Sequence, residues 1–571
     1  MKIQGRRWAL AAVTASLVVA SCSPGDKSEP GDSAPPKPAD SIVRIKDKGV
    51  TAKGGTVDVL GTVDWTSLDP ANNYLIDSSE VGRLIYRTLT FVKDTPGEEL
   101  SVQPDLAESL GTSSDGGKTW TYKLREGVKY EDGKPITAAD VKYGVQRSFA
   151  QDMYDEGATY MVDLLANETD YSGPYATPEK DLTSVETPDD RTLVFHFKGP
   201  QPDADWILSQ LYTVPVPEAA DTKEAYADRP VSSGPYKIEK YTPDETLVLV
   251  RNDQWDPATD PNRPAYPDKF QFSPGTAADT NKRLIASKGL DANATGLTLS
   301  VSELDAPKLD EPSVKARFVN GPGPCVDYVA MNTEMITDPD VRHAIALAID
   351  RQKIQRMYGG DLFGSIADSI VPPTVAGFQA PDLGLKSEGD VEAAKKLLAG
   401  KTVPQLHLAL EAGGELYKRV GTVVKENLKA AGVEVIVDEY KSDEYTPAIE
   451  GDNPPAISFE GWCADWPTPA AVVPSVFGPD PDGKTYGSNN ITRYYDPATA
   501  KKMQDLMSSS EAAPVVNTKL IDLANKIQTT AWPLLPTILN NTPVVVGANL
   551  TNAGVSPLFG VFDLNTVAVK Q

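Results

Sequence analysis

Apolar and polar positions alternate most clearly just after the turn-forming Asp115-Gly116-Gly117, where Trp120, Tyr122 and Leu124 interleave with Thr121, Lys123 and Arg125. That is the period of a half-buried strand. Asp132-Gly133 then closes a hairpin-like turn, and Thr137-Ala138-Ala139-Asp140 has the form of a capping box ahead of a helix that runs on from Val141. Residues 115–149 therefore read as strand, turn and capped helix in order.

The same reading along the chain predicts strands over 56–64, 192–197 and 246–251, a short helix over 80–89, and a turn at Ser233-Gly234-Pro235-Tyr236. Thr337-Asp338-Pro339 supplies a cap and an N-terminal proline for a helix whose Val341, Ala344, Ile345, Ala348 and Ile349 share one face. Residues 406–410, a helix over 415–431 with Leu416, Val420, Val423, Val424 and Leu428 inward, Gly432, and residues 433–437 form a βαβ pattern. Such a unit implies a parallel, helix-flanked sheet. A last helix over 519–529 precedes strand-like runs at 534–539 and 543–546, and no repeat is visible.

The amino terminus changes the picture. Lys2, Arg6 and Arg7 precede an apolar run from Trp8 to Ala20 that is too short for a permanent span, and small residues lead to Cys22, which together read as a secretory signal over 1–21. Residues 22–52 are rich in Pro, Ser, Gly and charge, and are expected to be a disordered tether. The 571 residues are 40% hydrophobic, enough for a large core in several lobes. A formal charge of −25, more negative still once the basic signal is removed, argues against nucleic acid or anionic lipid as partners. Of three cysteines, Cys325 and Cys463 remain as an even pair in an oxidising compartment if Cys22 is modified. A disulfide between them is the favoured reading; two buried thiols are the alternative.

As a string, residues 115–149 resemble the fingerprint of the family 5 extracellular solute-binding proteins, the peptide- and oligopeptide-binding components of ABC importers. Val231-Ser232-Ser233-Gly234-Pro235-Tyr236, Tyr328-Val329-Ala330-Met331-Asn332-Thr333, Val341-Arg342-His343-Ala344 with Ile349-Asp350-Arg351, Gly461-Trp462-Cys463-Ala464-Asp465-Trp466-Pro467, and Pro533-Leu534-Leu535-Pro536 are similar to further family motifs. Val19-Ala20-Ser21-Cys22 resembles a bacterial lipobox, implying a lipid on Cys22. The resemblance implies an α/β fold, a two-lobed periplasmic-binding-protein-like clamp (type II, cluster C-like) with an extra α/β domain inserted in lobe I. The corresponding boundaries are 53–85, 206–320 and 542–571 for lobe I, 86–205 for the extra domain and 321–541 for lobe II. Residues 115–149 fall in the extra domain, expected to stand apart from the cleft.

In oligopeptide-binding members, the aspartate of a similar Gly-Trp-Cys-Ala-Asp motif accepts the peptide's free α-amino group. That role maps to Asp465, with Trp462, Cys463, Ala464 and Trp466 as neighbouring ligand contacts. Without the resemblance, Asp465 would read as an ordinary loop aspartate before Pro467. Cys463 sits where the family has a disulfide cysteine, which favours pairing with Cys325. The expected partners are a peptide, an ABC permease with its ATPase subunits, and the membrane through the lipid on Cys22, with the protein a monomer on the extracellular face of the cytoplasmic membrane. No cofactor or metal is expected. An oligosaccharide stacked on Trp462 and Trp466 is the alternative within this fold, and a secreted hydrolase the alternative of another class.

Two further patterns, both decoys, carry no chemistry of their own. Gly478-Pro479-Asp480-Pro481-Asp482-Gly483-Lys484-Thr485 spells a P-loop, but its prolines lack the N–H groups a phosphate needs and its aspartates repel one. His196, His343 and His407 lie apart in regular elements, which suits structural roles better than a metal or a hydrolytic triad.

Overall fold

The computed structural model describes residues 42–46, 53–61, 67–167, 170–298, 301–302 and 305–570. The expected signal, Cys22 and most of the expected tether lie outside the described residues. Residues 42–46 do not conform to a tether. Val43 forms a bridge with Asn320 and Ile45 with Ala553, so the body already holds the chain there. The alternation of Val43 and Ile45 with polar neighbours suits this edge pairing.

The first lobe is built on a five-stranded sheet in the order Ala294–Gly296, Thr56–Gly61, Lys269–Pro274, Thr246–Arg251 and Tyr236–Thr242. Val57, Val59, Leu247, Leu249, Phe270 and Phe272 face its core, one residue in two along each strand, and pack against Val81, Leu84 and Ile85 of a helix. That helix spans Ile76–Ile85, earlier than the 80–89 expected, and Leu75 at its start provides no side-chain cap. Its position is set by tertiary contacts at its end, where Tyr86 donates to the Leu68 carbonyl and Arg87 pairs with Asp105.

The second lobe contains a six-stranded sheet in the order Gly364–Ile366, Leu534–Asn541, Pro322–Met331, Ile457–Cys463, Leu406–Glu411 and Val435–Tyr440. The βαβ unit is present, with Leu406–Glu411 and Val435–Tyr440 parallel around the Glu415–Ala430 helix. The sheet as a whole is mixed rather than parallel, because Pro322–Met331 pairs antiparallel with both neighbours. A local βαβ pattern constrains only its own two strands. Along Pro322–Met331 the two faces separate by alternation: Val329 and Met331 enter the core beneath the Pro339–Ala348 and Glu415–Ala430 helices, and Val326, Tyr328 and Ala330 the core beneath Ala513–Thr530. The N-cap of the Pro339–Ala348 helix is Asp338, which accepts from the Asp340 N–H at 2.9 Å.

A four-stranded sheet, Thr112–Ser114, Thr119–Lys123, Thr192–His196 and Val185–Asp189, forms the extra domain with the Ala138–Arg147 helix. Both halves of the Thr137/Asp140 capping box are formed. Tyr122, Leu124, Val141 and Val145 fill its core. The two passages between the lobes run side by side, since the Thr542 N–H donates to the Gly321 carbonyl at 3.0 Å and Phe318–Val319 pairs with Val544–Val545. Paired crossings of this kind make a hinge of few residues.

Candidate functional site

Asp465 follows the last residue of the Ile457–Cys463 strand, where the chain leaves the sheet and reaches toward the first lobe and the extra domain. The loop is held from several directions. The Ala464 N–H donates to the Pro324 carbonyl, the Pro467 carbonyl accepts from Ala376, and Cys463 is joined by a disulfide to Cys325, its register partner on the adjacent strand. The disulfide clamps the base of the loop.

Two tyrosines meet the carboxylate. Tyr74 donates its hydroxyl to Oδ1 at 2.6 Å, and Tyr160 donates to Oδ2. Gln210 donates to the Asp465 main-chain carbonyl at 3.2 Å. Asp465 borders a cavity of about 50 Å³, yet protein packs around it and burial raises its pKa, while the two tyrosine hydrogen bonds pull it back. Burial first, and the Asp465 charge second, push both tyrosines well above their ordinary value, so they remain donors. Among the described residues, Asp465 is the only charged one lining the cavity; around it are Tyr74, Gln210 and the apolar walls of Ile76, Leu211, Leu558 and Phe559. A carboxylate in that setting is short of a cation, and an ammonium group supplies one with a charge-assisted hydrogen bond.

Cys463 and Ala464 line the cavity beside Asp465; Trp462 and Trp466 do not. The Trp462 indole N–H is committed to the Ala471 carbonyl at 3.1 Å. Trp466 is buried among extra-domain residues, its N–H donated to Asp203 at 3.1 Å and its ring meeting the edge of Tyr160 at 4.9 Å. Thr468 also donates to Asp203. Trp466 thus anchors the loop in the extra domain, and Trp462, half-buried, packs against the second lobe's core outside the cavity. The extra domain does not stand apart from the cleft either: it supplies Tyr160 and receives Trp466.

Tyr74, Tyr160, Gln210 and Asp203 escaped the sequence reading because they come from three distant segments, none with a local motif. The decoys resolve simply. In the P-loop spelling, the Lys484 and Thr485 N–H groups point to the Asp480 carboxylate at 2.6 and 3.0 Å, so the protein's own anion fills the turn. His196 contacts Glu186, His343 stacks on Trp532, and His407 contacts Asp438.

The decisive comparison is with the model of the bacterial extracellular solute-binding proteins, family 5, which matches residues 101–484. The chain belongs to that family. Among family 5 relatives, it is 25% identical over 499 residues to the oligopeptide-binding protein AppA of Bacillus subtilis, covering 82% of this chain and 83% of that protein. The periplasmic oligopeptide-binding protein OppA of Salmonella typhimurium is 27% identical over 470 residues, covering 78% and 80%. Among solved structures, the clavulanic acid biosynthesis oligopeptide binding protein 2 superposes with a TM-score of 0.82 at 30% identity, over 94% of this chain and all of that one. The two-lobed α/β clamp with its extra domain is the family 5 fold.

Proposed function

We propose that this chain captures peptides by their free amino terminus between its two lobes and delivers them to an ABC permease and its ATPase subunits. The observation that carries the reading is Asp465, enclosed at the lobe junction, satisfied by two neutral hydroxyls and facing a cavity with no basic residue among the described residues. The oligopeptide-binding relatives support the ligand class. The protein acts as a monomeric binding protein without turnover, tethered through a lipid on Cys22 to the outer face of the cytoplasmic membrane. Its lobes divide at 53–85, 206–320 and 542–571 for the first, 86–205 for the extra domain and 321–541 for the second. The hydrogen bond between Thr542 and Gly321 supports the crossing points.

The cavity has room for only a few waters, so a peptide enters when the lobes part and is enclosed when they close. Closure brings Tyr74, Tyr160 and Asp465 around the ammonium, whose transfer from water is compensated only if the carboxylate is ionised. Calorimetric titration tests this with free peptides, their N-acetyl forms and a cello-oligosaccharide series. Free peptides are expected to bind, N-acetylation and Asp465→Ala each to weaken binding by about 2 to 5 kcal/mol, and the oligosaccharides to give no heat. Binding that survives both changes sinks the assignment.

A further inference from the structure

The Ile76–Ile85 helix runs along two adjoining cavities. Ile76 and Ser79 line the first, with Asp465; Ser79 and Arg83 line the second, of about 40 Å³, and Ser79, Gln210, Leu211, Leu558 and Phe559 wall both. The positions i, i+3 and i+7 share one helical face, so a ligand held at Asp465 extends naturally toward Arg83 and Arg263, the two charged residues of the second cavity among the described residues. By position alone, a carboxylate at the far end of a short peptide belongs there.

The charges behind the wall argue otherwise. Arg83 is gripped at two points by Asp94, at 2.8 and 2.6 Å, and contacts Glu80 at 3.2 Å. Arg263 contacts Asp105 at 2.9 Å and Asp260 at 3.1 Å, carboxylates that also neighbour Arg87. Asp563 lies close enough to Arg83 and Glu80 to act on both. Three guanidinium groups thus share a buried cluster with five acids, Glu80, Asp94, Asp105, Asp260 and Asp563. Burial, with the neighbouring acids adding to it, raises Glu80 and Asp563. Each guanidinium already faces a carboxylate of its own, Arg83 that of Asp94, Arg87 that of Asp105 and Arg263 that of Asp260, so the arginines that form the visible wall leave no unpaired positive charge for a further anion.

We propose that this cleft recognises only the positive end of a peptide, and that neither cavity forms an ion pair with the ligand's terminal carboxylate. The proposal rests on the peptide reading. It follows that short ligands are accepted with the carboxyl terminus neutralised.

Competition calorimetry with alanine-based peptides of about three to five residues, each as free acid, C-terminal amide and N-acetyl acid, tests it on the intact protein. The expected result is an amide that binds as tightly as the acid or tighter, with the N-acetyl form at least about tenfold weaker. An amide about tenfold weaker than its acid overturns this proposal and leaves the peptide reading standing. Failure of every form to bind overturns both.

Discussion

The Arg147 guanidinium holds the Asp69 carboxylate at two points, Nη1 to Oδ1 and Nη2 to Oδ2, each at 2.7 Å. Arg147 ends the capped helix of the extra domain, and Asp69 lies in the loop that leads to Tyr74. Both are buried, and Asp221 joins the pair at 3.3 Å. The helix most legible in the sequence therefore positions a residue of the cleft.

Replacing Arg147 with Met leaves Asp69 and Asp221 buried without their guanidinium. The expected loss is about 3 to 5 kcal/mol of stability, read from chemical denaturation. The double variant Arg147→Met/Asp69→Leu recovers much of that loss, because the uncompensated charge on Asp69 is gone.

Gly157 approaches the same loop from the extra domain. A Cβ there would stand 2.1 Å from the Ala71 carbonyl oxygen, a backbone atom with no side-chain freedom to yield. Gly157→Ala is expected to cost about 1 to 3 kcal/mol and to weaken peptide binding by displacing Tyr74. Thermal unfolding and calorimetry on one preparation check both effects.

Closure itself is expected to respond to pH. The Asp465 pKa is raised by burial between the lobes, whereas parted lobes return the side chain to water. An acid with a raised pKa in the closed form favours closure at low pH, and that advantage is lost as pH rises through the raised value. Without peptide, interlobe fluorescence transfer should therefore report more closed protein at acidic than at alkaline pH. Asp465→Asn, neutral at both, removes the difference and closes more readily at neutral pH while losing peptide. A pH response unchanged in that variant rules the mechanism out.

Glu80 gives a separate pH dependence in stability. Burial pushes its pKa up to about 8, and that of Asp563 up to about 7. The folded state keeps protons that the unfolded chain releases above its ordinary carboxyl range, so stability is full at acidic pH and falls as pH rises toward about 8. Glu80→Gln should flatten this slope by at most about 1.4 kcal/mol per pH unit. Denaturation midpoints across that range provide the measurement; an unchanged slope contradicts the assignment.

Local physics was readable in the chain alone wherever one segment satisfies itself. The capping box at Thr137 and Asp140, the Asp338 cap with Pro339, and the βαβ unit from Leu406 each stand in the structure, because a strand period, a cap or a turn is decided by residues a few positions apart. Asp465 was reachable only through its motif. What tertiary structure decided is the company it keeps: Tyr74, Tyr160 and Gln210 lie 391, 305 and 255 residues away in sequence, and no local pattern marks them. The same reason governs Trp466, a candidate ligand platform by composition but an anchor in the extra domain by packing, and the carboxylates that pair with Arg83 and Arg263. Where a charge finds its partners depends on which distant segments the fold brings together, and that sets whether a half-buried aspartate awaits an ammonium or an arginine is already spoken for.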